Sequence, residues 1–328
     1  GKPDSYYNAI INWVKQRYDL VVAKEMINFV PGIVPGIGMA MNCFTQKGDK
    51  VMIQPPVYHP FAWVTTRNER TLVTNPLKWE NGMYRMDLDT FREQIKGCKL
   101  FILCNPHNPG GVVWTEAELR AIADICYDEK VLVFSDEIHA DLTLPPHTHR
   151  PFATVSEKAR MNSVTFMSPS KAFNMPGLSA SHALIFNEDL RKRFRIYMDA
   201  GELDMGHVFA FLSVEAAYSH GTEWLDQCLA YIQGNIDFVD DFLKNHAPKI
   251  KAIRPEASYL VWLDCRELKL SQKDLNEFFV DKAHLALNDG EMFGKEGIGF
   301  MRLNVASPRC IIEKAMKQLA DAYQLYIK

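Results

Sequence analysis

The chain has 328 residues, which is longer than one ordinary hydrophobic core and therefore favours two domains. Hydrophobic residues make up 47% of it and charged residues 23%, as in a typical globular enzyme. Lys and Arg number 37 against 40 Asp and Glu, and the net charge of −3 excludes a basic field for nucleic acid or an anionic membrane.

No apolar run approaches the roughly 20 residues that a membrane-spanning helix needs. The 7 cysteines are scattered and form no Cys-x-x-Cys pair, so we expect reduced, mostly buried thiols and a cytoplasmic location.

The amino-terminal stretch predicts a helix, a glycine-rich loop and a second helix. Residues 4–17 carry apolar side chains at helical spacing, and Asp4 can cap that helix. A glycine-rich loop begins at residue 28 and its glycines extend to residue 38. Within it, Pro35 suits the first position of the second helix. Free amides at a helix start can bind phosphate. The glycine spacing does not match the dinucleotide fingerprint, and a plain turn into a helix is the alternative.

Apolar strands then alternate with helices up to about residue 186. The predicted strands are 50–54, 70–74, 99–104, 131–134, 164–167 and 183–186, and the predicted helices are 87–96 and 115–127. The second of these helices begins at a capping box formed by Thr115 and Glu118. Wholly apolar strands between helices predict an α/β fold with a mostly parallel sheet, covered by helices on both faces.

The pattern changes to long helical stretches after residue 187, including one from Thr222 that is long enough to bridge two domains. Strand-like runs at 259–263 and 300–305 and a final helix from Pro308 follow. We therefore predict a large α/β domain at 1–222 and a smaller C-terminal α+β domain at 223–328.

Four polar residues lie just past the carboxyl ends of apolar strands: Tyr58, Asn108, Asp136 and Lys171. Ligands of a parallel α/β sheet bind at that edge, so these side chains are expected to converge. Their types match the needs of pyridoxal phosphate (PLP). A lysine can form the Schiff base, and a carboxylate can hold the pyridine nitrogen. An amide can bind the ring's phenolic oxygen, and an aromatic ring can stack on the cofactor.

These residues stand in three motifs, which are Asn-Pro-His-Asn-Pro-Gly at 105–110, Ser-Asp-Glu-Ile-His at 135–139 and Ser-Pro-Ser-Lys-Ala-Phe-Asn at 168–174. In this order they resemble the fold-type I, or aspartate-aminotransferase-fold, PLP enzymes. Gly-Ile-Val-Pro-Gly-Ile at 32–37 and Arg-Leu-Asn-Val-Ala at 302–306 are similar to the MalY/PatB-type cystathionine β-lyase/C–S lyase branch of the class I/II aminotransferases. The resemblance extends over essentially the whole chain.

The resemblance implies a role for each residue at the ring. Lys171 would form the imine with the cofactor and later move protons at the substrate α-carbon. Asp136 would hold the pyridine nitrogen and Asn108 the phenolic oxygen, with His139 close to that oxygen. Tyr58 would stack on the ring and assist at the substrate end.

The resemblance also implies the residues at the two anionic ends of the site. Ser168, Ser170 and the backbone amides of Ile33 and Val34 would hold the phosphate. Arg302 would bind the substrate α-carboxylate as a bidentate fork.

Two features depart from the family pattern. Many relatives have a phosphate-binding arginine eight residues after the lysine, where this chain has Ser179. The family also has an upstream segment with a Gly-Tyr pair, whose tyrosine reaches the neighbouring subunit's phosphate, and this chain begins after that point. The implied partner is a second copy of the chain in a homodimer with a shared active site, which would be incomplete without that segment.

Other interpretations of single residues stay open at this stage. Taken alone, Lys171 would be a solvated loop lysine, Asp136 a strand-end cap and Arg302 a salt-bridged strand residue. A zinc site near His139 lacks the usual ligand spacing. The Ser-x-x-Lys sequence ending at Lys171 occurs without the Lys-Thr-Gly partner of penicillin-recognising enzymes.

The predicted function is a PLP-dependent C–S lyase that converts sulfur-containing amino acids to pyruvate, ammonia and a thiol by β-elimination. A PLP-dependent aminotransferase is the first alternative, because both reactions begin with the same proton abstraction. A PLP-binding regulatory protein with little turnover is the second alternative.

Overall fold

Two β-sheets organise the chain in the computed structural model, which describes residues 2–327. The strands are β1 (Ile27–Val30), β2 (Lys50–Ile53), β3 (Thr71–Thr74), β4 (Lys78–Glu80), β5 (Met83–Arg85), β6 (Cys98–Cys104), β7 (Leu132–Asp136), β8 (Ser163–Met167), β9 (Ser181–Leu184), β10 (Lys251–Ile253), β11 (Leu260–Asp264), β12 (Asn288–Asp289) and β13 (Phe300–Asn304). Strands β4 and β5 form a separate hairpin.

The helices are α1 (Asp4–Tyr18), α2 (Ile33–Phe44), α3 (Pro60–Arg67), α4 (Leu88–Gln94), α5 (Glu116–Asp128), α6 (Glu157–Met161), α7 (Glu188–Ala200), α8 (Val208–His220), α9 (Thr222–His246), α10 (Gln272–Glu277) and α11 (Arg309–Tyr326). Within residues 2–327, no helix is both long enough and apolar enough to cross a membrane.

The larger sheet has seven strands in the order β1-β9-β8-β7-β6-β2-β3. Neighbours from β8 to β3 run parallel, whereas β9 runs antiparallel to both β8 and β1. The central strands β7 and β8 are buried along their whole length, as expected for a sheet that is covered on both faces. The predicted mostly parallel α/β sheet is confirmed.

The register of the central strands aligns their carboxyl ends. Cys104 at the end of β6 is the partner of Asp136 at the end of β7, and Asp136 is the partner of Phe166 near the end of β8. The loops that follow these three strands therefore leave the sheet at one edge, which is where ligands of such sheets bind.

The smaller sheet has the strand order β10-β11-β13-β12, and all of its pairs are antiparallel. On β13, Met301 and Leu303 face the apolar core, while Arg302 and Asn304 alternate with them and lie on the other face. The predicted domain boundary after residue 222 coincides with the first residue of α9 and stays a prediction.

The helix starts show which local predictions were accurate. The capping box at α5 is confirmed, because Thr115 Oγ1 accepts from Glu118 N at 3.2 Å and Glu118 Oε2 accepts from Thr115 N at 2.9 Å. The predicted cap at Asp4 is wrong. Pro3 occupies the cap position in extended conformation, and Asp4 is the first helical residue. Helix α2 begins at Ile33, two residues before the predicted start at Pro35.

Candidate active site

A cavity of about 320 Å³ lies where the carboxyl ends of β6, β7 and β8 meet the start of α2 and the smaller sheet. This volume is within the range of small-molecule sites. The residues that line the cavity are Ile33, Val34, Pro35, Tyr58, Cys104, Asn108, Asp136, Ile138, His139, Lys171, Tyr259, Leu260, Arg302 and Asn304. The structure thus brings together eight of the ten residues that the sequence predicted for the site.

Asp136 is the buried acid of the cavity. Its side chain is only 4% exposed, and its Oδ1 accepts a hydrogen bond from Ile138 N at 3.1 Å. Burial raises the pKa of Asp136 to about 7, and the neighbouring Glu137 adds to the rise, while the backbone bond from Ile138 and the charge of Lys171 oppose it. A cationic group that enters the cavity next to this carboxyl would favour its ionised form.

Glu137 does not line the cavity, and it fixes the turn that follows Asp136. Its carboxylate accepts from Ser135 Oγ, Phe152 N and His149 Nε2, each at 2.8 Å. These bonds satisfy a fully buried carboxylate, as such a group requires. The turn after β7 is therefore held by residues that do not line the cavity.

Asn108 and Arg302 join the two sheets across the cavity. Arg302 Nη1 donates to Asn108 Oδ1 at 2.9 Å, and Arg302 Nη2 donates to Asn288 Oδ1 at 2.8 Å. The guanidinium also lies 4.7 Å from the ring centroid of Phe293. Burial lowers the pKa of Arg302 to about 10, so the side chain is still a cation at neutral pH. The remaining amide of Asn108, Nδ2, is a hydrogen-bond donor at the cavity.

Tyr58 enters the wall from the segment after β2. Its backbone N donates to Asn108 O at 3.1 Å, which places the two residues side by side. Burial raises the pKa of the Tyr58 phenol, and the nearby Asp136 raises it further, so Tyr58 presents a protonated hydroxyl and an aromatic face.

The amino terminus of α2 forms one end of the cavity through Ile33 and Val34. The residue before the helix is Gly32, and among residues 2–327 no side chain caps the first turn. Uncapped amides at a helix start attract anions through hydrogen bonding and the helix dipole. This end of the cavity is suited to a phosphate group.

Ser168 and Ser170 do not line the cavity. Ser168 Oγ donates to Ala180 O at 2.7 Å and lies 2.9 Å from Ser170 Oγ, so the two hydroxyls bond to each other and to the start of β9. Their predicted part in phosphate binding would require these hydroxyls to exchange partners, and it stays a prediction. Ser179 is exposed and lies in left-handed backbone conformation with φ of 46°.

Lys171 lies in the turn after β8 and is half-buried. It lines both this cavity and a second one of about 320 Å³ between the turn and α9. Its side chain carries the primary amine of the cavity wall, and the cavity places it together with Tyr259 and Arg302 from the side of the smaller sheet.

The polar atoms of the cavity fit PLP. His139 is 5% exposed, and its Nδ1 has no hydrogen-bond partner among the described residues; the same is true of Arg302 Nε. Burial lowers the pKa of His139 to about 3, with the charges of Lys171 and Arg302 contributing, so the ring is neutral. Unpaired buried polar atoms favour a ligand that supplies the missing partners.

The cavity also contains residues that the sequence did not single out as site residues, chiefly Tyr259 and Asn304. Asn304 could have been found, because it lies two residues after Arg302 on the same strand and so shares its face. Tyr259 directly precedes β11, and nothing in its local sequence distinguishes it from a core aromatic residue.

This fold and this cavity define a class of protein, the PLP-dependent enzymes with the aspartate-aminotransferase fold. The family model described as aminotransferase class I and II matches residues 3–319, and the chain belongs to this family. The family binds PLP, so the predicted cofactor class and the predicted family are confirmed.

Individual proteins of this family are similar to the chain over most of its length. The chain is 38% identical to cystathionine beta-lyase PatB of Bacillus subtilis (strain 168) over 317 residues, which cover 96% of this chain and 82% of PatB. A PLP-bound putative aminotransferase from Clostridium difficile 630 is 40% identical, with a TM-score of 0.96 and coverage of 98% of this chain and 84% of the other. Cystalysin from Treponema denticola, whose structure contains PLP, is 34% identical with a TM-score of 0.96, over 99% of this chain and 83% of cystalysin.

Proposed function

We propose that this chain is a PLP-dependent carbon–sulfur lyase that acts on S-substituted cysteines. The observation that carries the proposal is the convergence of Lys171, Asp136, Asn108 and Arg302 on one cavity, in a chain that resembles cystathionine beta-lyase PatB over 96% of its length. The reaction consumes one water: R–S–CH2–CH(NH3⁺)–COO⁻ and H2O give R–SH, pyruvate and ammonium.

Three parts of the cavity would hold the cofactor. The start of α2 would bind the phosphate through the amides of Ile33 and Val34. Asp136 would bind the pyridine nitrogen, and an ion pair at a separation of about 4 Å is worth roughly 4 kcal/mol at an effective dielectric of about 20, before desolvation. Asn108 Nδ2 would bind the phenolic oxygen, and His139, whose Nδ1 has no hydrogen-bond partner among the described residues, lines the same cavity. When bound, PLP supplies an aldehyde for the substrate amine and a ring that withdraws electrons from the α-carbon.

The chain's own residues then orient the substrate and move protons. Arg302 is a cation whose Nε has no partner among the described residues, and it binds the α-carboxylate. With the carboxylate fixed there, Lys171 Nζ removes the α-proton and then supplies a proton to the departing sulfur. Tyr58 would stack on the ring and present its protonated hydroxyl at the substrate end. The three-carbon remainder hydrolyses to pyruvate and ammonium.

An aminotransferase is the second candidate, since the 40% identical structure from Clostridium difficile is described as a putative aminotransferase. Both reactions use the same carboxylate-binding arginine and the same lysine base. They diverge after the α-proton has left: elimination breaks the carbon–sulfur bond and releases ammonium, whereas amino transfer passes the amino group to a 2-oxo acid.

The proposal includes a homodimer in which both copies contribute to each site, and a cytoplasmic location. Exposed apolar side chains on α8 and in the loop before it support the dimer. Val208 and Phe209 are 67% and 70% exposed, and Met205 is 66% exposed. Sedimentation of the PLP-loaded protein would test this part, with a mass of twice 37.5 kDa expected.

The deciding experiment supplies cystathionine to the purified, PLP-loaded protein with and without a 2-oxo acid. The proposal expects thiol and pyruvate in equal amounts without any oxo acid, and neither product from a Lys171→Ala variant. Amino transfer that depends on the oxo acid, without release of thiol, would establish the aminotransferase instead. PLP binding with no turnover under either condition would favour a regulatory protein.

A further inference from the structure

His107 lies in the loop between β6 and α5, one residue before Asn108, and does not touch the cavity. It is 3% exposed and packs near Tyr84 and Trp114, with ring centroids at 6.0 Å and 5.6 Å. A buried imidazole next to a cofactor-binding residue calls for an account of both of its nitrogens.

Both ring nitrogens of His107 bond to backbone. Nε2 lies 2.8 Å from Pro56 O, and Nδ1 lies 3.2 Å from Gly110 N. A carbonyl only accepts and an amide N–H only donates, so the proton is on Nε2 and the lone pair is on Nδ1. Burial lowers the pKa of His107 to about 4, which agrees with a neutral ring of one fixed tautomer.

These bonds connect the two segments that carry Tyr58 and Asn108. Pro56 is two residues before Tyr58, and Tyr58 N donates to Asn108 O at 3.1 Å. The His107 ring thus closes a second connection between segments that are 51 residues apart in sequence. On the other side, its bond to Gly110 fixes the turn that follows Asn108.

The packing around His107 extends to the smaller sheet. A Cβ added at Gly110 would lie 2.8 Å from both His107 Nδ1 and Tyr84 Cδ2, so only glycine allows this approach. Tyr84 Oη accepts from Trp262 Nε1 at 3.0 Å, and Trp262 is the strand partner of Arg302. The ring of His107 is therefore connected, through Tyr84 and Trp262, to the strand that carries Arg302.

We propose that His107 is a positioning residue, which as a neutral imidazole holds Asn108 and Tyr58 in fixed register at the cofactor. It acts through these two residues and touches neither cofactor nor substrate. The roles of Asn108 and Tyr58 are those of the proposed function, on which this inference rests.

The test uses three substitutions that separate the two ring bonds. His107→Gln retains a donor at the Nε2 position for Pro56 O, and His107→Asn retains an acceptor at the Nδ1 position for Gly110 N. His107→Ala retains neither. His182→Ala is the matched control. His182 is fully buried in the larger sheet, and neither of its ring nitrogens has a partner within residues 2–327, so its loss opens a similar cavity without breaking a loop bond.

The exchange rates of the backbone amides of Gly110 and Tyr58, measured with and without PLP, show directly whether the two loop segments are held in place. Loss of one hydrogen bond speeds local exchange by about fivefold to tenfold. We expect faster exchange at both amides in His107→Ala, at Gly110 alone in His107→Gln and at Tyr58 alone in His107→Asn. His182→Ala should change neither amide.

The loaded enzyme supplies the second measurement. Displacing Asn108 should shift the pH midpoint of the cofactor's visible absorbance band, since the resemblance assigns Asn108 to the phenolic oxygen. It should lower kcat by about tenfold to a hundredfold, with a smaller change in KM, because misplacement by about 1 Å can cost that much. His107→Gln should recover most of both effects.

The inference is overturned if His107→Ala keeps kcat within about twofold of the wild-type value and leaves the pH midpoint of the absorbance band unchanged. It is also overturned if the Tyr58 amide exchanges as fast in His107→Gln as in His107→Ala. If His107→Ala does not fold, the contrast between Gln and Asn still decides, because equal exchange at both amides in these two variants would refute it. Absence of pyruvate from the wild-type protein, with the exchange pattern as expected, would refute the lyase and leave His107 as the positioning residue.

Discussion

Replacing Asp136 with Asn should stabilise the cofactor-free protein at alkaline pH while abolishing its chemistry. The carboxyl is buried, and burial raises its pKa from the ordinary 3.8 to about 7, although the charge of Lys171 lowers it somewhat. Asn has nearly the same shape and keeps an oxygen that can accept from Ile138 N. The substitution therefore removes the cost of burying a charge and leaves the local hydrogen bond in place.

The sign and size of the effect follow from linkage. Between about pH 4 and pH 7 the folded state binds more protons at Asp136 than the unfolded state does, so the stability of the wild-type protein falls as the pH rises. A shift from 3.8 to about 7 corresponds to roughly 4 kcal/mol above pH 7, as an upper bound. For 328 residues, whose unfolding entropy is roughly 0.7 kcal/mol per degree, this amounts to up to ~6 °C in melting temperature.

Thermal unfolding of cofactor-free wild-type and Asp136→Asn protein at pH 4.5 and pH 8, in otherwise matched buffers, measures this difference. We expect the melting temperatures to be close at about pH 4.5, and the variant to melt several degrees higher at about pH 8. PLP should narrow the gap at pH 8, because a pyridinium would pair with the wild-type carboxylate only. A variant that melts at or below the wild-type temperature at pH 8 would refute the assignment of Asp136 as an uncompensated buried acid.

Three further substitutions test the site and its support. Lys171→Ala should remove the cofactor's visible band and all pyruvate formation while leaving the circular dichroism spectrum unchanged; turnover by the variant would contradict the role of the lysine. Arg302→Lys cannot keep both bonds of the fork, so kcat/KM for S-substituted cysteines should fall by about tenfold to a hundredfold, chiefly through KM, and an unchanged KM would argue against carboxylate binding. Gly110→Ala should lower the melting temperature, since overpacking of this kind costs about 1–3 kcal/mol, whereas Gly177→Ala, whose Cβ meets nothing within 4 Å, should not. Equal melting temperatures for these two variants would refute the close packing around Gly110.

The sequence predicted the site edge because parallel strands bring their carboxyl ends together, and polar residues directly follow those ends. It could not predict that β9 runs antiparallel, since a short buried apolar strand has the same composition in either direction. The hairpin of β4 and β5 was missed because strands of three residues are too short to show an alternating pattern.

Side-chain contacts between residues far apart in sequence were the other feature that the sequence could not predict. The motif at 105–110 contains His107, but its acceptor is the carbonyl of Pro56, and carbonyls have no signature in sequence. Similarly, the direction of the Ser168 hydroxyl depends on Ala180 O, which only the fold brings close. These contacts position the side chains of the site, whereas the residue types determine which chemistry those side chains can perform.

Borohydride reduction of the PLP-loaded protein, followed by peptide mapping, tests the central claim most directly. Reduction makes the bond between cofactor and lysine permanent, so the modified residue can be located by mass. We predict that the added mass lies on the peptide that contains Lys171 and is absent when the Lys171→Ala variant is treated in the same way. Modification of a different lysine in the wild-type protein, or PLP retained without any modified lysine, would contradict the claim that this cavity is the active site.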